Sequence, residues 1–503
     1  MTREKVRAWA ERTTCHGIAD LAEQNHISGR LIWASILSVV FSLLAFSLYI
    51  VSTDFGTEWT TSTSEITSSE GLPYPVITLC NYNRLRQSQI EKYGLSPSSQ
   101  SLLFENTPTA YILGDNTSNT DDALQEYSRW KKAYNFTQLH QIYQTLGHQC
   151  VDSIYHLQIG RYNAKAKMDV QDWENDICNS NYVVIKNVMN SEFGNCFQIT
   201  INTTDTNGEL LKTTIAGKVQ GVVIILNAQV EEYSKELENS YWDEGFVMQL
   251  SYDGQVTVGQ WISISPGNHI HVGIQRATTT LKKSFLTVAP PPCAINPPMS
   301  VYTGLPYSHD LCVKDCFQAQ VTRLCGCVWM DTVAGYRNCA LDEYINCSKN
   351  NPQADLLNYV KPDCSKNCQD ACEKDEVLAT VSVNRFPAQS KQPQLIQFLQ
   401  DFRIVTVDQL RNSFAAVDVY YEKLTISHTE RYERTTIDQL ISNIGAQMGL
   451  WTGASVVTIC QVWVYLVASC RCTRKRSAEV EPSDEKIEKG SLTERKNSKS
   501  KIK

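Results

Sequence analysis

Two stretches of this chain run uncharged for at least the length of a membrane crossing, and nearly everything else lies between them. Leu31 to Val51 is 21 residues without a charged side chain, enough at about 1.5 Å per residue to span a roughly 30 Å hydrocarbon layer. Leu440 to Cys470 is 31 uncharged residues. As one helix that is roughly 46 Å, so tilt, extension above the bilayer or a break must absorb the excess. This second run carries Gly445, Gly449 and the tripeptide Gly453-Ala454-Ser455. Such glycine spacing is costly in a soluble core, whereas at membrane depth small residues let helices approach or let backbone turn toward water. The run is the first candidate for a pore.

Two crossings put both termini on one side, and Arg471, Arg474, Lys475 and Arg476 mark that side as cytoplasmic. The first 30 residues are polar and the apolar run after them lacks a small-residue cleavage pattern. The first span is therefore expected in the mature protein, as part of a multi-pass protein of the plasma membrane. Asn-X-Ser/Thr glycosylation sequons at Asn116, Asn135, Asn202 and Asn346 all lie between the spans. Of 18 cysteines, 14 lie there too, and an even number on an oxidising side reads as seven disulfides. Cys15, Cys460, Cys470 and Cys472 fall in cytosolic or membrane segments and are expected to be free. The net charge of -7 argues against nucleic acid as a partner.

The chain divides into a cytosolic segment (1–30), a first transmembrane helix (31–52), an extracellular domain (53–434), a second transmembrane helix (435–470) and a cytosolic tail (471–503). The tail is dominated by Lys, Arg, Glu and Ser and is expected to be disordered. Ser35, Ser38, Ser42 and Ser47 of the first span either face other helices or bond back to their own backbone. Residues 53–70, rich in Thr, Ser and Glu, read as a connector. Alternating or β-branched runs predict strands at 75–80, 181–188, 195–201, 218–226, 245–251, 261–274, 377–383 and 414–421. Helical patches fall at 122–133 and 136–146. The extracellular fold class is α+β, a sheet-based body with helical insertions. His269 and His271, two apart, share one strand face. No further ligand is visible near them in the sequence, so a solvated face is the favoured reading and no metal or other cofactor is assigned.

Ten cysteines crowd into 293–372. Cys312 and Cys316 are four apart, and Cys364, Cys368 and Cys372 step by four, so each group lines one face if its segment is helical. Two antiparallel helices then bring Cys316 opposite Cys364 and Cys312 opposite Cys368 within bridging distance. The remainder nests as Cys293–Cys372, Cys325–Cys347 and Cys327–Cys339. A zinc site at Cys325-Gly326-Cys327 is the rival reading, disfavoured by the oxidising side.

With this topology the chain resembles the degenerin and epithelial sodium channel superfamily, which includes acid-sensing and peptide-gated channels. His16-Gly17 matches the family's His-Gly motif before the first span. Tyr74 to Asn81 resembles its first post-membrane strand, and Phe193-Gly194-Asn195-Cys196-Phe197 a further family segment. The cysteines from 293 to 372 look like its thumb domain, and Cys80–Cys196 and Cys150–Cys178 complete the expected pairs. Val419 to Leu424 and Gly445-X3-Gly449-Leu450 lead into Gly453-Ala454-Ser455, which matches the Gly-X-Ser selectivity motif. The resemblance implies a homotrimeric or heterotrimeric channel whose second helices line a pore. His16 and Gly17 would support the cytosolic mouth, and the extracellular domain would sense the stimulus. It implies sodium ions, the lipid bilayer, an amiloride-type blocker and an extracellular peptide or small molecule as partners, and no enzymatic activity.

Departures from the family pattern bear on what passes. Asn443 stands where acid-sensing relatives carry an Asp, Gln461 replaces a Glu after the filter motif, and Ala446 replaces a common Gly. Carboxylate rings concentrate cations. With neutral amides, sodium over potassium selectivity is expected to be weaker than the family's best. Ser442 holds the small-residue position where bulk favours the open state. The segment from Asp54 to Glu70 lacks the histidines of acid-sensing relatives, although Glu65 retains a carboxylate, which lowers the expectation of proton activation without removing it; a neuropeptide, a bile-acid-like amphiphile, a change in divalent ions, mechanical tethering and constitutive opening are the other candidate stimuli. An ATP-gated-type trimer is the rival among channels, and a disulfide-rich cell-surface receptor the rival outside them.

Overall fold

The computed structural model describes residues 7, 9–10, 13, 15–55, 59–105, 120–160, 177–179, 183–190, 192–202, 210–233, 243–252, 261–282, 293–331, 333, 335–351, 364, 366–400, 406–464 and 467. Asn116, Cys470, Cys472 and the basic cluster with its tail lie outside them. The chain divides into two compact units. One comprises Met1–Glu58, Ser284–Ala289 and Glu433–Lys503, the other Trp59–Lys283 and Pro290–Tyr432.

The second unit is built on two sheets. Six strands form the larger, in the order Lys374–Arg385, Asn268–Lys282, Phe414–Glu433, Val222–Asn227 and Ile154–Ile159, with Trp59–Thr67 also pairing with Phe414–Glu433. The smaller runs Ile262–Ile264, Phe246–Ser251, Val76–Asn81, Gly194–Ile201, Val183–Asn190, antiparallel throughout. Alternation dictates how they stack. In the smaller sheet Ile77 lies opposite Ile199 and Leu79 opposite Phe197. These side chains pack with Ile224, Leu226, Val272, Ile274, Val417 and Val419 of the larger sheet in one core. Each such side chain buried contributes about 1.5–3 kcal/mol.

A second core is helical. Thr120–Ala133 and Leu139–Leu146 pack Tyr127, Trp130, Ile142 and Leu146 with Phe317, Val321 and Trp329 around the helices His309–Cys325 and Leu341–Asn350. The disulfides join Cys80–Cys196, Cys150–Cys178, Cys293–Cys372, Cys312–Cys368, Cys316–Cys364, Cys325–Cys347 and Cys327–Cys339. These are the expected pairs, but only one of the two expected helices carries all of its cysteines. Cys312, Cys316 and Cys325 share the His309–Cys325 helix, but helical backbone on the other side ends at Asn367, before Cys368 and Cys372. Among the described residues Cys15 and Cys460 are free. Asn135, Asn202 and Asn346 are exposed.

Two other expectations change. Within the supposed connector, Trp59–Thr67 is a strand, because its Thr-rich, β-branched run suits an exposed pleated surface. Thr63 Oγ1 lies 3.2 Å from Thr429 Oγ1 across the pair. The single strand expected at 261–274 is two strands in different sheets, separated at Pro266 and Gly267, where Gly267 takes φ 72°.

In the first unit the helix Ile27–Asp54 extends past the expected span at both ends. Among the described residues its Ile27–Thr53 stretch is the one helix long and apolar enough to cross a membrane, and its most apolar window has no buried residue. Leu31, Val39, Phe46 and Tyr49 are each 60% or more exposed. An apolar surface on all sides suits lipid rather than water. Ser35 and Ser42 donate to the carbonyls of Leu31 and Ser38 at 2.8 Å, so these two hydroxyls bond within their own helix.

Candidate functional site

The helix Ile437–Thr452 begins at Thr436, whose hydroxyl accepts from the Gln439 N–H while Gln439 Oε1 accepts from the Thr436 N–H, a reciprocal cap. It ends at Gly453, which takes φ 62° and donates to the Gly449 carbonyl at 3.0 Å. A left-handed residue closing a helix is the usual employment of glycine. Ala454 donates to the Met448 carbonyl at 3.3 Å. Helix resumes at 456–464. Its start is capped by Ser455, whose Oγ accepts from the Thr458 N–H at 3.4 Å while Thr458 Oγ1 accepts from the Ser455 N–H at 3.0 Å. Gly453-Ala454-Ser455 is thus a helix stop, one residue outside either helix and a helix start. Thr458 was not singled out by sequence reasoning, although Ser-X-X-Thr at that spacing is a capping pattern.

The break frees the Thr452 carbonyl, whose partner in a continuous helix would be the Val456 N–H. The His16 N–H donates to it at 2.8 Å. The imidazole of His16 lies over Gly453, so close that a Cβ there would fall 2.5 Å from Cε1. Gly17 takes φ 79° and a Cβ on it would fall 2.9 Å from Leu37 Cδ2. The pair therefore has a physical reading: His16 covers the broken helix, and Gly17 is the turn that lets the chain pass against the Ile27–Asp54 helix. Freed backbone inside a membrane persists only where protein or water satisfies it.

Ser442, Gly445, Ala446 and Gly449 follow helical spacing along one exposed face of Ile437–Thr452. A Cβ on Gly445 or Gly449 would meet nothing within 4 Å. Asn443, beside this face, is exposed, as is Gln461 in the resumed helix.

In the sheet unit His269 and His271 are not a solvated pair. Parallel pairing puts His271 beside Asp418, and the two imidazoles lie 2.9 and 2.8 Å from its carboxylate oxygens. Burial raises the Asp418 carboxyl, but the adjoining His269, His271 and Lys218 outweigh it and hold the group at about 2. Asp418 lies far from the histidines in sequence and gave no local signal. The same unit holds a cavity of 570 Å³ whose lining includes Asp310, Asp370, Glu373, Asp375 and Glu376 against one lysine, Lys374. Such a lining attracts cations and repels anions.

One unit thus holds a broken helix with its freed carbonyl satisfied and a long apolar helix, and the other a disulfide-rich double sheet. Residues 9–465 match the family model described as amiloride-sensitive sodium channel, and the chain belongs to that family. Its members are ion channels, not enzymes. The chain is 23% identical over 466 residues to the bile acid-sensitive ion channel of Mus musculus, covering 91% of this chain and 86% of that protein. It is 23% identical to acid-sensing ion channel 1A of Danio rerio, covering 94% and 90%. To the epithelial sodium channel subunit gamma of Neoceratodus forsteri it is 25% identical over 285 residues, covering 54% and 42%. The ATP-gated and receptor alternatives are set aside by this membership.

Proposed function

We propose that three copies of this chain, alone or with related subunits, form a sodium-conducting channel of the plasma membrane with both termini cytoplasmic. Residues 437–464 line the conduction path. The carbonyls of Gly453 and Ala454 and the Ser455 hydroxyl replace part of the ion's water, as backbone carbonyls can in selectivity filters. The observation that supports this best is the capped break at Gly453–Ser455 with His16 bonded to Thr452. A helix needed only to anchor a receptor has no reason to interrupt its own hydrogen bonding at membrane depth. The open face from Ser442 to Gly449 then faces the same residues of the other copies, with Ser442 and Asn443 toward the outer end. An amiloride-type blocker enters from that side.

Among stimuli, the acidic cavity favours cationic agents. Protons, a basic peptide or removal of a divalent ion suit five carboxylates better than a bile acid, the agent to which one relative is sensitive. Whole-cell recording of cells expressing the chain, with stepwise changes in pH, calcium and basic peptides, tests the reading. An amiloride-sensitive inward sodium current under at least one condition is expected. Surface-expressed protein silent under all of them contradicts it.

A further inference from the structure

His269, His271 and Asp418 present three ligand atoms within 4.8 Å of one another, on two adjacent strands of the larger sheet. The two rings lie 4.1 Å apart between centroids, and His271 and Asp418 are buried. Bonding among the protein groups does not close. His271 Nδ1 lies 2.7 Å from the Lys218 ammonium and 2.8 Å from an Asp418 oxygen. An ammonium only donates and a carboxylate only accepts, so one ring nitrogen cannot satisfy both. His269 Nε2 is buried 2.9 Å from the other Asp418 oxygen, yet misaligned for a hydrogen bond and without another partner. Ser382 and Asn384, opposite the histidines on the neighbouring strand, carry no charge.

We propose that His269, His271 and Asp418 form an extracellular binding site for a zinc-class divalent cation. Two imidazoles and one carboxylate are the donor set of a borderline metal, whereas calcium and magnesium prefer an all-oxygen shell. Both ring nitrogens then present lone pairs to the ion, and the Lys218 side chain, 49% exposed, swings into solvent. Ligand distances of about 2.0–2.1 Å in a tetrahedron separate ligand atoms by roughly 3.3 Å, so the widest pair closes by no more than about 1.5 Å. The fourth position is left for water. The ion fastens the strand Asn268–Lys282 to Phe414–Glu433, the strand whose chain continues into the helix Ile437–Thr452.

The test is a titration of the purified full-length protein, stripped with chelator, with zinc chloride by calorimetry and with cobalt chloride by visible absorption. About one ion per chain and a tetrahedral cobalt spectrum are expected. His269→Gln and His271→Gln should each weaken binding at least about tenfold, and Lys218→Met should tighten it by removing the competing cation. If His271→Gln does not fold, the more exposed His269→Gln and the gain in Lys218→Met carry the test. No binding, or an affinity unchanged in His269→Gln and Lys218→Met, overturns the site.

Discussion

Replacing Gly453 by alanine probes the broken helix directly. Two costs follow from its geometry. At φ 62° an L-residue pays about 1–2 kcal/mol relative to glycine. The new Cβ would stand 2.5 Å from the His16 ring, and ordinary carbon contacts are about 3.5–4.0 Å, so His16 must withdraw by roughly 1 Å. That withdrawal strains its 2.8 Å bond to the Thr452 carbonyl, worth about 1 kcal/mol. The sum, about 2–3 kcal/mol, corresponds to roughly a 30- to 140-fold loss of the conducting conformation at about 1.4 kcal/mol per tenfold. The second cost belongs to the contact and disappears when His16→Ala is added, because the alanine keeps its N–H and lacks the ring. Current normalised to surface protein, measured in Gly453→Ala, His16→Ala and the double variant, should give a coupling of about 1 kcal/mol. Near-wild-type current in Gly453→Ala, or effects additive within about 0.5 kcal/mol, would refute the reasoning.

Ser442→Val, on the open face of the second helix, should raise resting current without added stimulus; a variant as silent at rest as the wild type would count against Ser442 as a gate residue. Acid should weaken the double-sheet unit through His148. Burial lowers its pKa from 6.5 to about 4, and its ring is held neutral, Nδ1–H donating to Gln229 Oε1 at 2.7 Å while Nε2 accepts from Asn83 Nδ2 at 3.1 Å. The unfolded chain takes up the proton first, so this stabilisation is whole above about pH 6.5 and is lost as pH falls toward about 4, a change on the order of 3 kcal/mol. Thermal midpoints of His148→Gln should therefore fall less than wild type between pH 7 and pH 4.5, and an equal fall in both would exclude His148 as the source.

Much of this architecture can be read from residue pattern because its constraints are local. Uncharged length announces the first span, β-branched alternation announces strands such as Val76–Asn81, and a glycine in a helix marks a place where backbone can turn. The sequence is silent where partners are distant. Asp418 meets His271 only because a parallel pairing joins strands more than a hundred residues apart. The threonine-rich segment 59–67 has the composition of a linker, and only a neighbouring strand makes it one of a sheet. Cys368 and Cys372 step by four without a helix to give that spacing meaning, since bridges already hold the segment. His16 stands out by a family motif and Gly453 by its place in the uncharged run, but nothing in the sequence says that the ring of one sits on the backbone of the other.

The central claim is that Gly453–Ser455 selects the ion. Reversal potentials in sodium and potassium solutions, compared between the wild type and Ser455→Ala, test it most directly. With neutral Asn443 and Gln461 in place of carboxylates, the wild type should prefer sodium by less than about tenfold, a gap under about 1.4 kcal/mol. Ser455→Ala, which removes both the hydroxyl proposed to face the ion and the cap of the resumed helix, should bring the ratio toward unity. A permeability ratio unchanged by the substitution would place the filter elsewhere.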